Sequence, residues 1–312
     1  MDSLDHAKKR INEFLKSNSV NYEKLDINSK NEIFKVTFGK KEFLLKIYKT
    51  NQRGYIQEHN EHLQCFDRET FALTSFSKIK EVPNIFLQHR DKNFAWYLRE
   101  YFNGKPLTDL KNIRLYKKAI DLMGKLHSQF KFSKKLNKKE IIKAYEEKVQ
   151  EARMRLKKFL PKKYYDKELF LILNNFNLSY NIILKHSNKI IHGDFVNRNI
   201  LVKNNEFRLI DWENSRFAPT VEDLIFFISE LKEEYTINQE LIKYYNKKMK
   251  TNYPNKIYYV LDLFMEYRSL GTLLRIKHNE LEKYSERIKN KIIKIKDLAK
   301  LLKNKYKLNL LS

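Results

Sequence analysis

The residues with most capacity for chemistry lie in IIHGDFVNRNILVKNNEFRLIDWENS, residues 190–215. Asp194 is followed five positions later by Asn199, then by the apolar run Ile200-Leu201-Val202, a turn at Asn204-Asn205, the run Phe207–Ile210, and Asp211. Two short strands joined by a two-residue turn bring Asn199 and Asp211 together at the open end of a hairpin. Asp194 falls on the loop just before it. Two carboxylates and one amide oxygen thus share a small volume, a donor set suited to Mg²⁺, which takes hard oxygen ligands and keeps waters or phosphate oxygens as the rest of its shell.

The elements that must position these groups follow from the pattern upstream and downstream. Residues 3–17 have helical spacing, and Tyr22–Leu25, Ile33–Phe38 and Glu42–Tyr48 read as strands, the last two joined by Gly39-Lys40-Lys41. Residues 66–77 read as a helix, and Ile85–His89 and Phe94–Tyr101 as two more strands. The chain then breaks at Asn103-Gly104-Lys105-Pro106, the best candidate for a hinge. Beyond it the periodicity is helical over 112–130, 138–159 and 167–186. It gives way to a β-rich island at Lys189–Ile210 and resumes over 220–234, 238–249, 255–277 and 279–305.

The motif H-G-D-x4-N, a short hairpin, then I-D-W-E resembles that of the phosphotransferase family of aminoglycoside kinases, choline kinases and related small-molecule kinases. The resemblance covers most of the chain. It implies an α+β, bilobal protein-kinase-like fold, with a small β-rich N-lobe over 1–102 and a larger, mostly helical C-lobe over 103–312. It further implies transfer of the γ-phosphate of ATP, with GTP not excluded, to a hydroxyl of an aminoglycoside-, choline- or sugar-like acceptor, dependent on Mg²⁺. In kinases of this fold a strand lysine holds the phosphates and pairs with a helix glutamate. Lys46 and Glu69 match those positions. By the same resemblance Asp194 accepts or orients the acceptor hydroxyl, Asn199 and Asp211 hold the metal, and His192 braces the loop. Asp223 stabilises the catalytic loop, and Arg99-Glu100-Tyr101-Phe102 forms the adenine hinge, with Glu100 and Phe102 as nucleotide contacts. Ser29 lies in the nucleotide-covering loop between Leu25 and Ile33, which has no glycine. That loop motivates the alternative of a catalytically silent, kinase-fold binding or spore-coat-type protein. The complete set Lys46, Glu69, Asp194, Asn199 and Asp211 opposes it.

Other residues carry open readings. Glu213 either meets a second metal or the substrate, or caps the next segment. Arg216 meets a phosphate or pairs with Glu213 or Glu222. Asp262 and Glu266 share a helix face and either receive an amine or pair with basic neighbours. His127 reads as a packed structural histidine.

Composition narrows the classes of function. The 312 residues contain 63 Lys+Arg against 38 Asp+Glu, a formal charge of +25, yet only 14 of the basic residues are arginine. Lysine on solvated faces explains that excess better than a nucleic-acid surface does, since arginine is the residue suited to bidentate contacts. The charge draws in polyanions such as ATP, while a polycation needs a local acidic pocket. Hydrophobic residues at 42% exclude wholesale disorder. The single cysteine, Cys65, excludes an internal disulfide framework and points to a reducing, cytoplasmic setting. No run reaches the roughly 18 apolar residues of a membrane span. The C-terminal run ERIKNKIIKIKDLAKLLKNKYK is basic and amphipathic, and either packs its apolar stripe on the C-lobe or touches an anionic membrane.

Overall fold

The computed structural model describes residues 2–25, 31–48, 61–110, 112–129, 138–231, 235–251 and 253–311. Ser29 lies outside them. The described elements run α1 (Ser3–Leu15), β1 (Asn21–Lys24), β2 (Glu32–Phe38), β3 (Lys41–Tyr48), α2 (Glu61–Ser75), β4 (Ile85–Arg90), β5 (Ala95–Glu100), β6 (Lys105–Pro106), α3 (Ile113–Gln129) and α4 (Lys138–Phe159). They continue with α5 (Lys167–Asn174), α6 (Tyr180–His186), β7 (Lys189–Ile191), β8 (Ile200–Lys203), β9 (Glu206–Leu209), β10 (Arg216–Ala218), α7 (Val221–Leu231), α8 (Tyr235–Met249), α9 (Asn255–Ile276) and α10 (Ser285–Tyr306). Contacts gather the chain into two compact units. One takes Met1–Leu122 with His192–Ser215, and the other takes Met123–Ile191 with Arg216–Ser312.

The first unit is built on a five-stranded antiparallel sheet of order β1-β2-β3-β5-β4. Its central strand β3 is buried on both faces, and strand geometry sends alternate side chains to opposite sides. Phe43, Leu45 and Ile47 join Phe34, Val36, Trp96 and Leu98 in one core with Ala7 and Ile11 of α1. Leu44, Lys46 and Tyr48 therefore point the other way, and the Lys46 and Tyr48 head groups meet Glu69 of α2 there. Gly39 closes the β2–β3 turn at φ +57°, a conformation that side chains with a Cβ resist.

The sequence motif folds onto the same unit as a small sheet of order β6-β8-β9. Asn204 and Asn205 both take left-handed angles, φ 49° and 61°. That is the geometry of a two-residue hairpin turn whose twist matches its strands, and asparagine tolerates it well. Lys105-Pro106 is more than a break in the chain, since it pairs with Val202 and Leu201 of β8. Gly104 is needed beside it, because an added Cβ would lie 2.5 Å from a Phe102 ring carbon and 3.1 Å from the Val202 backbone nitrogen.

The second unit is helical apart from the β7–β10 ribbon, in which Arg216 opposes Ile191. The 167–186 segment is not one helix. It divides into α5, a 3₁₀ turn at Phe176–Ser179, and α6. The division falls where Asn174, Asn175 and Asn177 cluster, and asparagine side chains compete with the helical backbone for hydrogen bonds. Asp166 caps α5, its Oδ1 accepting from the Glu168 and Leu169 amides at 2.8 and 3.4 Å. The apolar stripe of α10 (Ile288, Ile292, Ile295, Leu298 and Leu302) is buried, so packing claims the face that a membrane would need. Among the described residues no helix is long and apolar enough to cross a membrane.

A buried polar network ties this unit together. Arg216 donates to Glu222, which also accepts from Tyr145 Oη, and the Glu222 side chain is fully buried. Arg216 is thereby paired as one sequence reading required. Removing one partner of such a pair strands the other charge out of water, at about 3–5 kcal/mol. Glu222→Gln should therefore lower unfolding free energy by about 3 kcal/mol or more in urea titrations. A loss below about 1 kcal/mol would show that the pair behaves like an exposed one.

Candidate active site

The site lies wholly within the first unit. Lys46 Nζ donates to Glu69 Oε2 at 2.7 Å and to Asp211 Oδ1 at 3.1 Å, with Glu213 Oε2 at 3.8 Å. Burial opposes the lysine's charge, but Glu69 and then Tyr97, Asp211 and Glu213 outweigh it and hold its pKa well above the usual value. Lys46 is thus a fixed cation across the neutral range. Asp211 shows the converse. Burial favours its neutral form, yet Lys46, by charge and by hydrogen bond, keeps its pKa below the ordinary carboxylate value.

Glu69 is held on both oxygens. Oε2 accepts from Lys46 and from Tyr48 Oη, and Oε1 accepts the Trp212 backbone N–H at 3.2 Å. One carboxylate so fastens β3, α2 and the segment after β9. Tyr48 was not singled out from sequence, although the signal was available: residues i and i+2 of a strand share a face. Burial, then Glu69, pushes the Tyr48 hydroxyl well above its ordinary pKa, so it serves as a proton donor.

The hairpin delivers the other groups. Ile210 N–H donates to the Asn199 carbonyl at 2.9 Å, which sets Asn199 and Asp211 at neighbouring positions at its base, as the spacing requires. Asn199 Nδ2 donates to Asp194 Oδ2 at 3.0 Å and to the Asp194 carbonyl at 2.9 Å. Those bonds commit the amide nitrogen and leave Oδ1 as the side chain's acceptor. Arg198 Nη2 reaches the same Asp194 Oδ2 at 3.3 Å. Both bonds fall on Oδ2, and among the described residues Asp194 Oδ1 has no partner. Gly193 adopts φ +75° directly before Asp194, and Asp211 itself sits at φ +66°. A non-glycine residue there carries on the order of 1 kcal/mol of strain, a cost met at functional positions when surrounding contacts fix it. His192 Nε2 donates to the Ile210 carbonyl at 3.0 Å, and Nδ1 accepts from the Asp194 amide at 3.3 Å. Its ring packs edge-on against Trp212 at 4.6 Å, the bracing position expected of it.

The donor set fits a hard divalent cation. Glu69, Asp211 and Glu213 each place an oxygen so that all three lie within 4.8 Å, and every donor, Asn199 included, is an oxygen. Glu69 already accepts three hydrogen bonds, so Asp211, Glu213 and Asn199 are the groups with most capacity for a metal. Glu213 is anchored rather than loose: Arg68 Nε donates to its carbonyl at 2.8 Å, and Asn31 Nδ2 to its carboxylate at 3.3 Å.

The hinge segment is fastened from several sides. Glu100 N–H donates to the Asn84 carbonyl at 3.0 Å, and its own carbonyl accepts from Arg99 Nη1 at 2.8 Å. Its carboxylate accepts twice from Arg208, at 2.9 and 3.2 Å. The Glu100 side chain is therefore engaged by Arg208, while its carbonyl, with one of two lone pairs used, can still accept. Phe102 lies under the Arg208 guanidinium at 4.9 Å, and among the described residues its N–H has no partner. The Arg208 clamp had no sequence signal, since it joins positions 108 residues apart.

Residues held open from sequence resolve within the second unit. Glu266 accepts from Lys291 and Lys294, each at 2.8 Å, and Asp262 accepts from Lys294 at 3.0 Å. This acidic pair is neutralised by α10. His127 lies between Asp223 at 3.0 Å and Tyr245 at 3.2 Å, fully buried, as a packed structural histidine should.

Known proteins carry the same architecture. The crystal structure of choline kinase from Cryptosporidium parvum Iowa II matches with a TM-score of 0.64 at 17% identity, over 98% of this chain and 97% of that one. Choline kinase LicA from Streptococcus pneumoniae matches with 0.63 at 14% identity, over 94% and 99%. Amicoumacin kinase hAmiN in complex with AMP-PNP, Ca²⁺ and Ami matches with 0.62 at 15% identity, over 95% and 96%. At such identities the likeness establishes the fold, which is kinase-like, with a β-sheet N-terminal region and a mostly helical C-terminal part. No curated protein sequence matches significantly. The family model described as the phosphotransferase enzyme family matches residues 22–245. With that match spanning more than half of its length, the chain belongs to the phosphotransferase enzyme family.

Proposed function

We propose that this protein is an ATP- and Mg²⁺-dependent kinase that phosphorylates a hydroxyl of a small molecule. The observation that carries the reading is the buried Lys46–Glu69 pair joined to Asp211, within the same unit as Asp194 and Asn199. Family membership and the kinase neighbours support small-molecule phosphotransfer at the coarser level. In lobe terms, 1–102 carries the nucleotide anchor and 103–312 the catalytic loop.

Lys46 holds the α- and β-phosphates, and Glu69 fixes the lysine. Glu69 itself is kept in place by Tyr48 and the Trp212 amide. Asp211, Asn199 and Glu213 hold the cation, which supplies neutralisation of phosphate charge and in-line alignment. Phe102 N–H and the Glu100 carbonyl take the adenine edge. Asp194 Oδ1 receives the acceptor's hydroxyl proton as the new O–P bond forms and the bond from the γ-phosphorus to the bridging oxygen breaks, releasing ADP. Asn199 and Arg198 keep the carboxylate turned for that role through Oδ2. Such a carboxylate contributes about 10²–10⁴ in rate. The lone cysteine and the use of ATP fit a cytoplasmic setting.

Ligand-dependent thermal stability tests the nucleotide site. A ligand that binds only the folded state adds about 2.7 kcal/mol at 100 times its Kd, or several degrees in Tm for a chain of this size. ATP and AMP-PNP should raise Tm with Mg²⁺ and much less without it. No shift at millimolar nucleotide would transfer the reading to a catalytically silent kinase-fold protein.

A further inference from the structure

We infer that Arg68 is a positioning residue for the divalent cation and sets its affinity through the backbone of Glu213. The inference rests on the kinase reading and extends it to a residue outside the donor set. Arg68 lies on α2 directly before Glu69. Its guanidinium donates through Nε to the Glu213 carbonyl at 2.8 Å and through Nη2 to Cys65 Sγ at 3.3 Å. Its own carbonyl accepts from Ser215 Oγ at 3.0 Å. Glu69, the next residue, takes the Trp212 N–H at 3.2 Å. Two consecutive residues of α2 thus fasten residues 212–215 at three points.

That segment needs an outside anchor. Glu213 lies in a turn between β9 and β10, closed by Ser215 N–H donating to the Trp212 carbonyl at 2.9 Å. Asp211 is already steered by Lys46 at 3.1 Å, whereas the direction of the Glu213 side chain depends on how its peptide is held. Arg68 holds the carbonyl of that peptide, and Asn31 meets the carboxylate at 3.3 Å. Groups behind a metal's ligands that orient them in this way are worth about 10- to 100-fold in metal affinity. The charge of Arg68 acts in the opposite sense, because a guanidinium beside a cation site repels the cation. Positioning and charge therefore predict opposite signs when the arginine is removed.

The test titrates Mg²⁺ into the full chain at fixed millimolar AMP-PNP and reads Tm, which requires neither acceptor nor turnover. Arg68→Met should raise the Mg²⁺ concentration at half of the nucleotide-dependent rise about 10- to 100-fold, with the full rise regained at higher Mg²⁺. Arg68→Lys, which keeps the charge and one donor, should recover part of the loss. Ser215→Ala, which loosens the same turn and leaves the guanidinium in place, should raise the midpoint about 2- to 10-fold, and it carries the test if Arg68→Met does not fold. A midpoint unmoved in these variants, whatever their starting Tm, would make Arg68 a structural residue only. A lowered midpoint in Arg68→Met would show that the cation senses its charge rather than its hold on Glu213. Either result overturns the inference and leaves the kinase reading intact. A wild-type chain whose Tm does not respond to Mg²⁺ and AMP-PNP removes the kinase reading and the inference with it.

Discussion

Asp194→Asn should lower acceptor-dependent ADP release about 10²- to 10⁴-fold while nucleotide binding, read as the Mg²⁺-dependent rise in Tm, stays near the wild-type value. The separation follows from geometry. Asp194 touches Asn199 and Arg198 only through Oδ2 and its carbonyl, and none of its contacts involves Lys46 or Asp211, the groups assigned to phosphate and metal. An asparagine keeps the shape and the carbonyl contact to Asn199 but cannot receive a proton. The predicted pattern is a fall in kcat with little change in the KM for ATP, the signature of an interaction made in the transition state. Turnover within threefold of wild type would remove Asp194 from the reaction. Joint loss of turnover and of nucleotide binding would instead mean that the carboxylate supports the loop.

How much of this was legible in the sequence varies with the distance over which each contact acts. The hairpin from Asn199 to Asp211 was readable because its information is local: two apolar runs around Asn204-Asn205, residues that accept left-handed angles. Lys46 was readable because a lysine inside an apolar strand is anomalous. The helices followed their periodicity least well at 167–186, where asparagines broke an apolar stretch, and at the starts of α2 and α10. The Glu69 cluster was half readable. Lys46–Glu69 had a pattern, while the Trp212 amide on Oε1 comes from 143 residues away and leaves no trace in spacing. The clamp on the hinge side chain has a similar source. Arg208 captures Glu100 across 108 residues, and no local rule distinguishes that glutamate from one facing a ligand. The neutralised pair Asp262 and Glu266 shows the limit most plainly: one helix face was correctly shared, but what stands opposite it was supplied by α10.

Lys46→Met should damage stability and nucleotide binding together, and a second substitution should part them. In the single variant the Glu69 carboxylate, 1% exposed, loses its cation, and stranding a buried charge costs about 3–5 kcal/mol. The Tyr48 hydroxyl and the Trp212 amide still reach Glu69, so the expected loss is near the lower end, about 3 kcal/mol. The penalty should be flat across neutral pH. Lys46 has a folded pKa above its ordinary 10.5, so its contribution is complete below that value and fades only as pH rises through the higher folded one. Asp211 is depressed below 3.8, so its share is present above that pH and fades only as pH falls through the lower folded value. Adding Glu69→Gln to Lys46→Met removes the stranded charge and keeps the acceptor for Tyr48 and Trp212. Stability should then recover by about 1–3 kcal/mol, while Mg²⁺-ATP still fails to raise Tm. A double variant that regained nucleotide binding would show that Lys46 serves only to neutralise Glu69. A single variant as stable as wild type would show that the carboxylates around it are not charged in the fold, and the cation site they form would lose its physical basis.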